Sequence, residues 1–151
     1  MSRNRAHLFT WNNYPATYAD VLDRLPSRYL VAGEEIAPGT GTPHLQGYVV
    51  WKDGKTVPSV RRLLRGCHIE IARGNHAEND SYCRKTRPAD LHANLRVYSR
   101  GELPADPADR GRVERDRWEA AWVAAKAGAI EDIPADIRVR CVIIYLSLIH
   151  I

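Results

Sequence analysis

Cysteine is scarce in this chain and poorly spaced for chemistry. Three of the 151 residues are cysteine, at Cys67, Cys83 and Cys141. They form no C-x-x-C pair and are odd in number, which argues against both a zinc knuckle and a paired disulfide framework. A reducing intracellular compartment suits such a set. Long apolar runs are also missing: no segment reaches the roughly 20 apolar residues that span a bilayer. The amino terminus lacks a stretch of signal-peptide type, so neither secretion nor membrane insertion is expected. No G-x-x-x-x-G-K-[ST] phosphate loop occurs, and ATP hydrolysis is not predicted for these residues. Charge of one sign is modest: 22 Lys+Arg against 18 Asp+Glu leave +4, which permits an anionic partner without requiring one.

What is present is enough apolar material for a core, 44% of residues, and a length that suits one ordinary domain with an appendage. The basic residues cluster at Arg3 and Arg5, at Arg61, Arg62 and Arg65, and at Arg84, Lys85 and Arg87. That distribution fits a groove for a phosphate backbone.

Hydrophobic patterning predicts strands over 6–11, 28–36, 44–51, 67–71 and 95–99. Helices are predicted after Thr17, with Thr17 and Asp20 as a capping box, over 57–64 and over 76–85. Asp53-Gly54 reads as a turn. The order βαββαβαβ predicts an α+β fold, a five-stranded antiparallel sheet with helices packed on it. Residues 1–102 are expected to form this domain and 103–112, rich in Pro, Ala and Asp, a linker. The rest, 113–151, contains a helix over 113–127 with Trp118, Ala121, Trp122 and Ala125 on one stripe. Residues 141–151 are abruptly apolar and suggest a truncated or artefactual end.

Three constellations carry chemistry. In His44-Leu45-Gln46-Gly47-Tyr48, strand alternation sends His44 and Gln46 to one side. Pairing with the preceding strand brings Glu35, or its rival Glu34, to the same place, and such an oxygen and nitrogen set suits Mg2+ or Mn2+ better than zinc. Tyr82 and Lys85 are three apart, neighbours on a helix, where a phenol can attack a phosphate and an ammonium can stabilise the developing charge. Phe9, Thr10, Trp11, Asn12 and Asn13 offer rings and amides that stack on unpaired bases and bond their edges. Each has a plainer reading. His44 and Gln46 suit a hydrated strand face, Tyr82 a half-buried phenol, and Phe9 and Trp11 core positions.

In their order and spacing these segments closely resemble the replication initiator (Rep) proteins of circular single-stranded DNA viruses, circovirus-like members in particular. The resemblance covers about residues 6–100 and extends to Gly33-Glu34-Glu35 and Cys67-His68-Ile69-Glu70. It implies an HUH-type endonuclease with a ferredoxin- or RRM-like sheet. Glu35, His44 and Gln46 would hold the divalent metal, Tyr82 would be the nucleophile and Lys85 its basic partner. Phe9 to Asn13 would recognise origin DNA, with Arg61, Arg62 and Arg84 contributing to binding. Gln46 stands where the wider superfamily has a second histidine, as it does in the circovirus-like branch. The implied function is rolling-circle initiation: nicking a stem-loop origin through a 5′-phosphotyrosine and rejoining strands, in the host nucleus. The helix around Trp118 and Trp122 resembles the start of an oligomerisation segment preceding a helicase, which would make the full-length protein a homo-oligomer. The alternatives are a non-catalytic single-strand-binding module, or a plasmid initiator or transposase with the same chemistry.

Overall fold

The computed structural model describes residues 1–140 of the chain. The apolar segment predicted as an artefactual end lies outside the described residues. Contacts divide the chain after Pro104.

The first unit is α+β, with five strands and three helices: β1 (Asn4–Asn12), α1 (Tyr18–Asp23), β2 (Ser27–Ile36), β3 (Pro43–Lys55), α2 (Val57–Leu63), β4 (His68–Ile71), α3 (His76–Arg84) and β5 (Val97–Gly101). The strands form one sheet in the order β4-β1-β3-β2-β5, and every pairing is antiparallel. The longest strand, β3, sits at the centre. Its alternation organises the sheet, because odd-numbered Leu45 and Val49 face one side while His44, Gln46 and Tyr48 face the other.

On the first face Phe9, Leu30, Ala32, Leu45 and Val49 pack against Tyr18 and Leu22 of α1 and Val60 of α2. Most of these side chains are fully buried, each worth about 1.5–3 kcal/mol if large. Gly47 is required here: a Cβ would stand 2.0 Å from the Phe9 ring. His7 is buried on the same side and accepts a 3.0 Å hydrogen bond at Nδ1 from Trp51 Nε1. On the opposite face α3 covers part of the sheet, where Tyr29, Val31, Tyr48, Val50 and Cys83 form a smaller cluster. The remainder of that face stays open.

Several predicted details differ. Thr17 precedes α1, but its side chain makes no capping bond, because its backbone is not in the extended form a capping box needs. The capping box occurs at α3, between Asn75 and Glu78. Asp53-Gly54 is not a turn: β3 runs through it to Lys55, held by Arg3 hydrogen bonds to the Gly54 carbonyl of 2.7 and 3.0 Å. The predicted linker is shortened, since a helix, α4 (Pro107–Lys126), starts within it. Proline fits the first turn of a helix, where its missing N–H is no loss. In this second unit Ala121 packs with Ile133 and Ile137, and Trp118 lies partly buried against them. Trp122, placed with them by periodicity, is 65% exposed instead. Among the described residues no helix is long and apolar enough to cross a membrane.

Candidate active site

The register of β2 and β3 decides which residues meet. Glu35 is directly opposite His44, and Glu35 Oε2 lies 2.8 Å from His44 Nε2. Both side chains are about 15% exposed, at 15% and 16%. Glu34, its neighbour, must point to the other face. There it is buried, accepts a 2.7 Å hydrogen bond from the Tyr18 hydroxyl, and lies near Arg96. The rival position is therefore occupied by a residue tying α1 to the sheet, and only Glu35 shares a face with His44.

Gln46 lies on the His44 face and is buried. Its Oε1 accepts a 3.1 Å hydrogen bond from Thr10 of β1, its register partner. An amide oxygen has a second lone pair, so this bond leaves acceptor capacity. Among the described residues no group of three or more His, Cys, Asp or Glu could hold a metal ion, and a set completed by a glutamine falls outside that description. The residues present nonetheless fit a divalent cation. Glu35 Oε2 and His44 Nε2 lie 2.8 Å apart, and a carboxylate oxygen, an imidazole nitrogen and an amide oxygen on one face are donors that suit such an ion.

Lys85 reaches the same carboxylate, with Nζ 3.0 Å from Glu35 Oε1. Its backbone is left-handed, φ 54°, and ends α3. A non-glycine residue in that region costs on the order of 1–3 kcal/mol, and such residues concentrate at functional sites. The ammonium also lies 4.3 Å from the Tyr82 ring centroid, and the Arg87 guanidinium 4.7 Å from it. Tyr82 is partly exposed and lines a cavity of about 420 Å³ with Thr10, Gln46, Glu70, Glu78 and Asn79. Lys85 therefore stands against both the predicted nucleophile and the carboxylate of the carboxylate-imidazole pair.

The predicted DNA contacts separate. Thr10 opens into the Tyr82 cavity. Asn12 and Asn13 are exposed, with Asn13 in the left-handed region at the strand end. Trp11 is half-buried against the first-face core. Phe9 must be withdrawn from the DNA-binding set: at 1% exposure beneath Gly47 it has no surface for a base. Arg61 and Arg62 are exposed on α2, whose Val60 packs on the first face, away from Tyr82. Arg84 is engaged internally, 3.0 Å from Asp80 and 3.2 Å from the Tyr29 hydroxyl. Glu70, Glu78 and Asn79 were not anticipated as lining residues. For Glu70 the alternation of β4 was the available signal, since it pairs with Leu8 two positions from Thr10. Burial pushes the Cys67 and Cys83 thiols up to about 12, so neither offers a competing nucleophile near neutrality.

Residues 4–86, more than half of the chain, match the family model described as putative viral replication protein. The chain belongs to that family. The replication-associated protein of Human associated cyclovirus 1 is 35% identical over 86 residues, covering 54% of this chain and 31% of the relative. That of Beak and feather disease virus is 42% identical over 72 residues, 48% of this chain and 24% of the relative. The master replication protein of Banana bunchy top virus is 36% identical over 78 residues, 52% of this chain and 26% of the relative. The matched segment thus spans about a third or less of each of these viral replication proteins.

Proposed function

We propose that this chain carries the DNA-nicking and strand-joining site of a rolling-circle replication initiator. The observation that carries the reading is the position of Lys85, against the Tyr82 ring on one side and on the other against Glu35, which meets His44. Membership of the viral replication family supports it. The Tyr82 phenol loses its proton to solvent and its oxygen attacks a backbone phosphorus. The bond from phosphorus to the 3′ oxygen breaks, the 3′ oxygen takes a proton from solvent and leaves as a hydroxyl, and the 5′ phosphate stays on Tyr82. Attack by another 3′-hydroxyl reverses the step and joins strands.

Lys85, between the Tyr82 ring and Glu35, supplies positive charge where the pentacovalent phosphate becomes more negative. Glu35, His44 and Gln46 are the residues that would hold Mg2+ or Mn2+. When bound, the ion supplies Lewis-acid polarisation of the phosphate. Thr10 orients the Gln46 amide, and the Arg87 guanidinium, paired with Asp90, packs against the Tyr82 ring. Origin stem-loop recognition, assembly of the full-length protein into oligomers and action in the host nucleus belong to the same reading. So does the assignment of residues 1–102 to nicking and 113–151 to a segment leading towards a helicase.

The test is incubation of the chain with single-stranded DNA and Mn2+, followed by peptide mass spectrometry. A nucleotide adduct on Tyr82 is expected, and Tyr82→Phe should bind DNA without forming it. If the unaltered chain binds strands but never forms an adduct, the non-catalytic binding module becomes the better reading.

A further inference from the structure

Tyr82 and Lys85 lie between two concavities of opposite character. On the β1 side is the polar cavity lined by Thr10, Gln46 and Glu70. On the β2 side, with Glu35 and Lys85 in its wall, is a cavity of about 520 Å³ formed by Ile36 and Pro38 after β2 and by the segment 89–95. Its rim exposes three large aliphatic side chains: Leu91 at 88%, Leu95 at 64% and Ile36 at 54%. They come from two separate segments and converge on one cavity, whereas apolar residues scattered singly over a surface require no explanation.

We propose that this cavity is a base-binding subsite, taking the unpaired nucleobase next to the phosphate attacked by Tyr82, and that Leu91, Leu95 and Ile36 hold it. The proposal rests on the nicking reading for its position. A strand whose phosphate reaches Tyr82 and Lys85 must extend to both sides of them. One neighbouring nucleotide then meets the polar cavity and the other meets the apolar one. The aliphatic walls cover the faces of a planar base, and the phosphate remains beside Lys85, which already supplies the positive charge. His92 also lines the cavity, placing a polar ring where base edges carry donors and acceptors, while the Asp90 carboxylate is held by Arg87. Occupancy of this subsite would fix the register of the strand and hence which phosphate is cut.

The test uses a single strand selected from a random pool for binding to the Tyr82→Phe form of the full chain, so that affinity is read without cleavage. Leu91→Ser and Leu95→Ser alter side chains that are mostly exposed, so folding is not at risk. Each is expected to weaken binding about tenfold, the scale of losing most of one buried aliphatic side chain's contact. Abasic substitutions are then walked along the strand. At one position the abasic strand should bind the parent as weakly as it binds the serine variants, because both changes remove the same contact. Cleavage by the chain with Tyr82 intact should map the cut directly beside that position. Additive effects at every position, or serine variants that bind the intact strand normally, overturn the proposal; the latter outcome would leave a protein segment as the occupant. Coupling at one position without cleavage anywhere would instead support the subsite and contradict the nicking reading.

Discussion

Two adjacent residues of one strand, Glu34 and Glu35, show how the faces of this sheet divide their work. Both are carboxylates with little exposure. Glu34 is buried against the Tyr18 hydroxyl and serves the packing of α1 on a closed apolar face. Glu35 meets His44 and Lys85 on a face left partly open. The chemical type of a residue therefore says less than its parity along the strand: a one-residue slip of β2 against β3 would exchange the two roles. The closed face tolerates no change of volume, whereas the open face depends on charges held at fixed separations.

The contrast can be broken most severely from the closed side. Phe9→Ala should cost about 3–5 kcal/mol of stability, read by denaturant unfolding, while the protein that remains folded keeps its nicking rate. A change in rate at full folding would mean that Phe9 reaches the DNA after all. Gly47→Ala should cost about 1–3 kcal/mol through overpacking against the Phe9 ring. Combining it with Phe9→Leu should cost less than the sum of the two, since the smaller side chain vacates the space the new methyl needs. Strict additivity would separate the residues energetically.

A smaller effect concerns His7. Burial holds its imidazole below the ordinary value of 6.5, so the folded state favours the neutral ring, which accepts from Trp51. The unfolded chain takes up a proton first as pH falls. The stability His7 contributes is thus complete above 6.5 and is lost on acidification towards the depressed folded value. His7→Asn, whose amide oxygen can replace Nδ1 as acceptor, should flatten the dependence of the melting temperature on pH between about 5 and 7. An unchanged slope would assign that dependence to other groups.

Much of this organisation is legible in the sequence, for reasons that differ by residue. The strands announce themselves through alternation, and His44 and Gln46 share a face by parity alone. Segments in family order pointed to His44, Tyr82 and Lys85, with Glu34 or Glu35 as the carboxylate, and the structure sets Lys85 against both the Tyr82 ring and Glu35. Phe9 was misjudged because its burial depends on a space left by Gly47, a contact between strands that no local pattern reports. The choice between Glu34 and Glu35 was open because it depends on the register across the Pro38–Pro43 loop. Asp53-Gly54 has turn chemistry, but the Arg3 side chain, just before β1, carries the strand through it. Pro107 suggests a break by composition yet begins a helix, because its position relative to the helix start decides its effect.

The division of labour between the two carboxylates is tested most directly by a paired measurement: DNA cleavage and thermal unfolding for Glu35→Ala and Glu34→Ala, each against the unaltered chain. Glu35→Ala should lower the cleavage rate by about 10²–10³, because it removes a carboxylate that would hold the cation polarising the phosphate, and should shift melting less than its neighbour. Glu34→Ala should lower stability by about 1–3 kcal/mol, because it strands the buried Tyr18 hydroxyl, while the folded protein cleaves at close to the original rate. Normal cleavage by Glu35→Ala, or lost cleavage by fully folded Glu34→Ala, would contradict the assignment of the open face to chemistry and the closed face to packing.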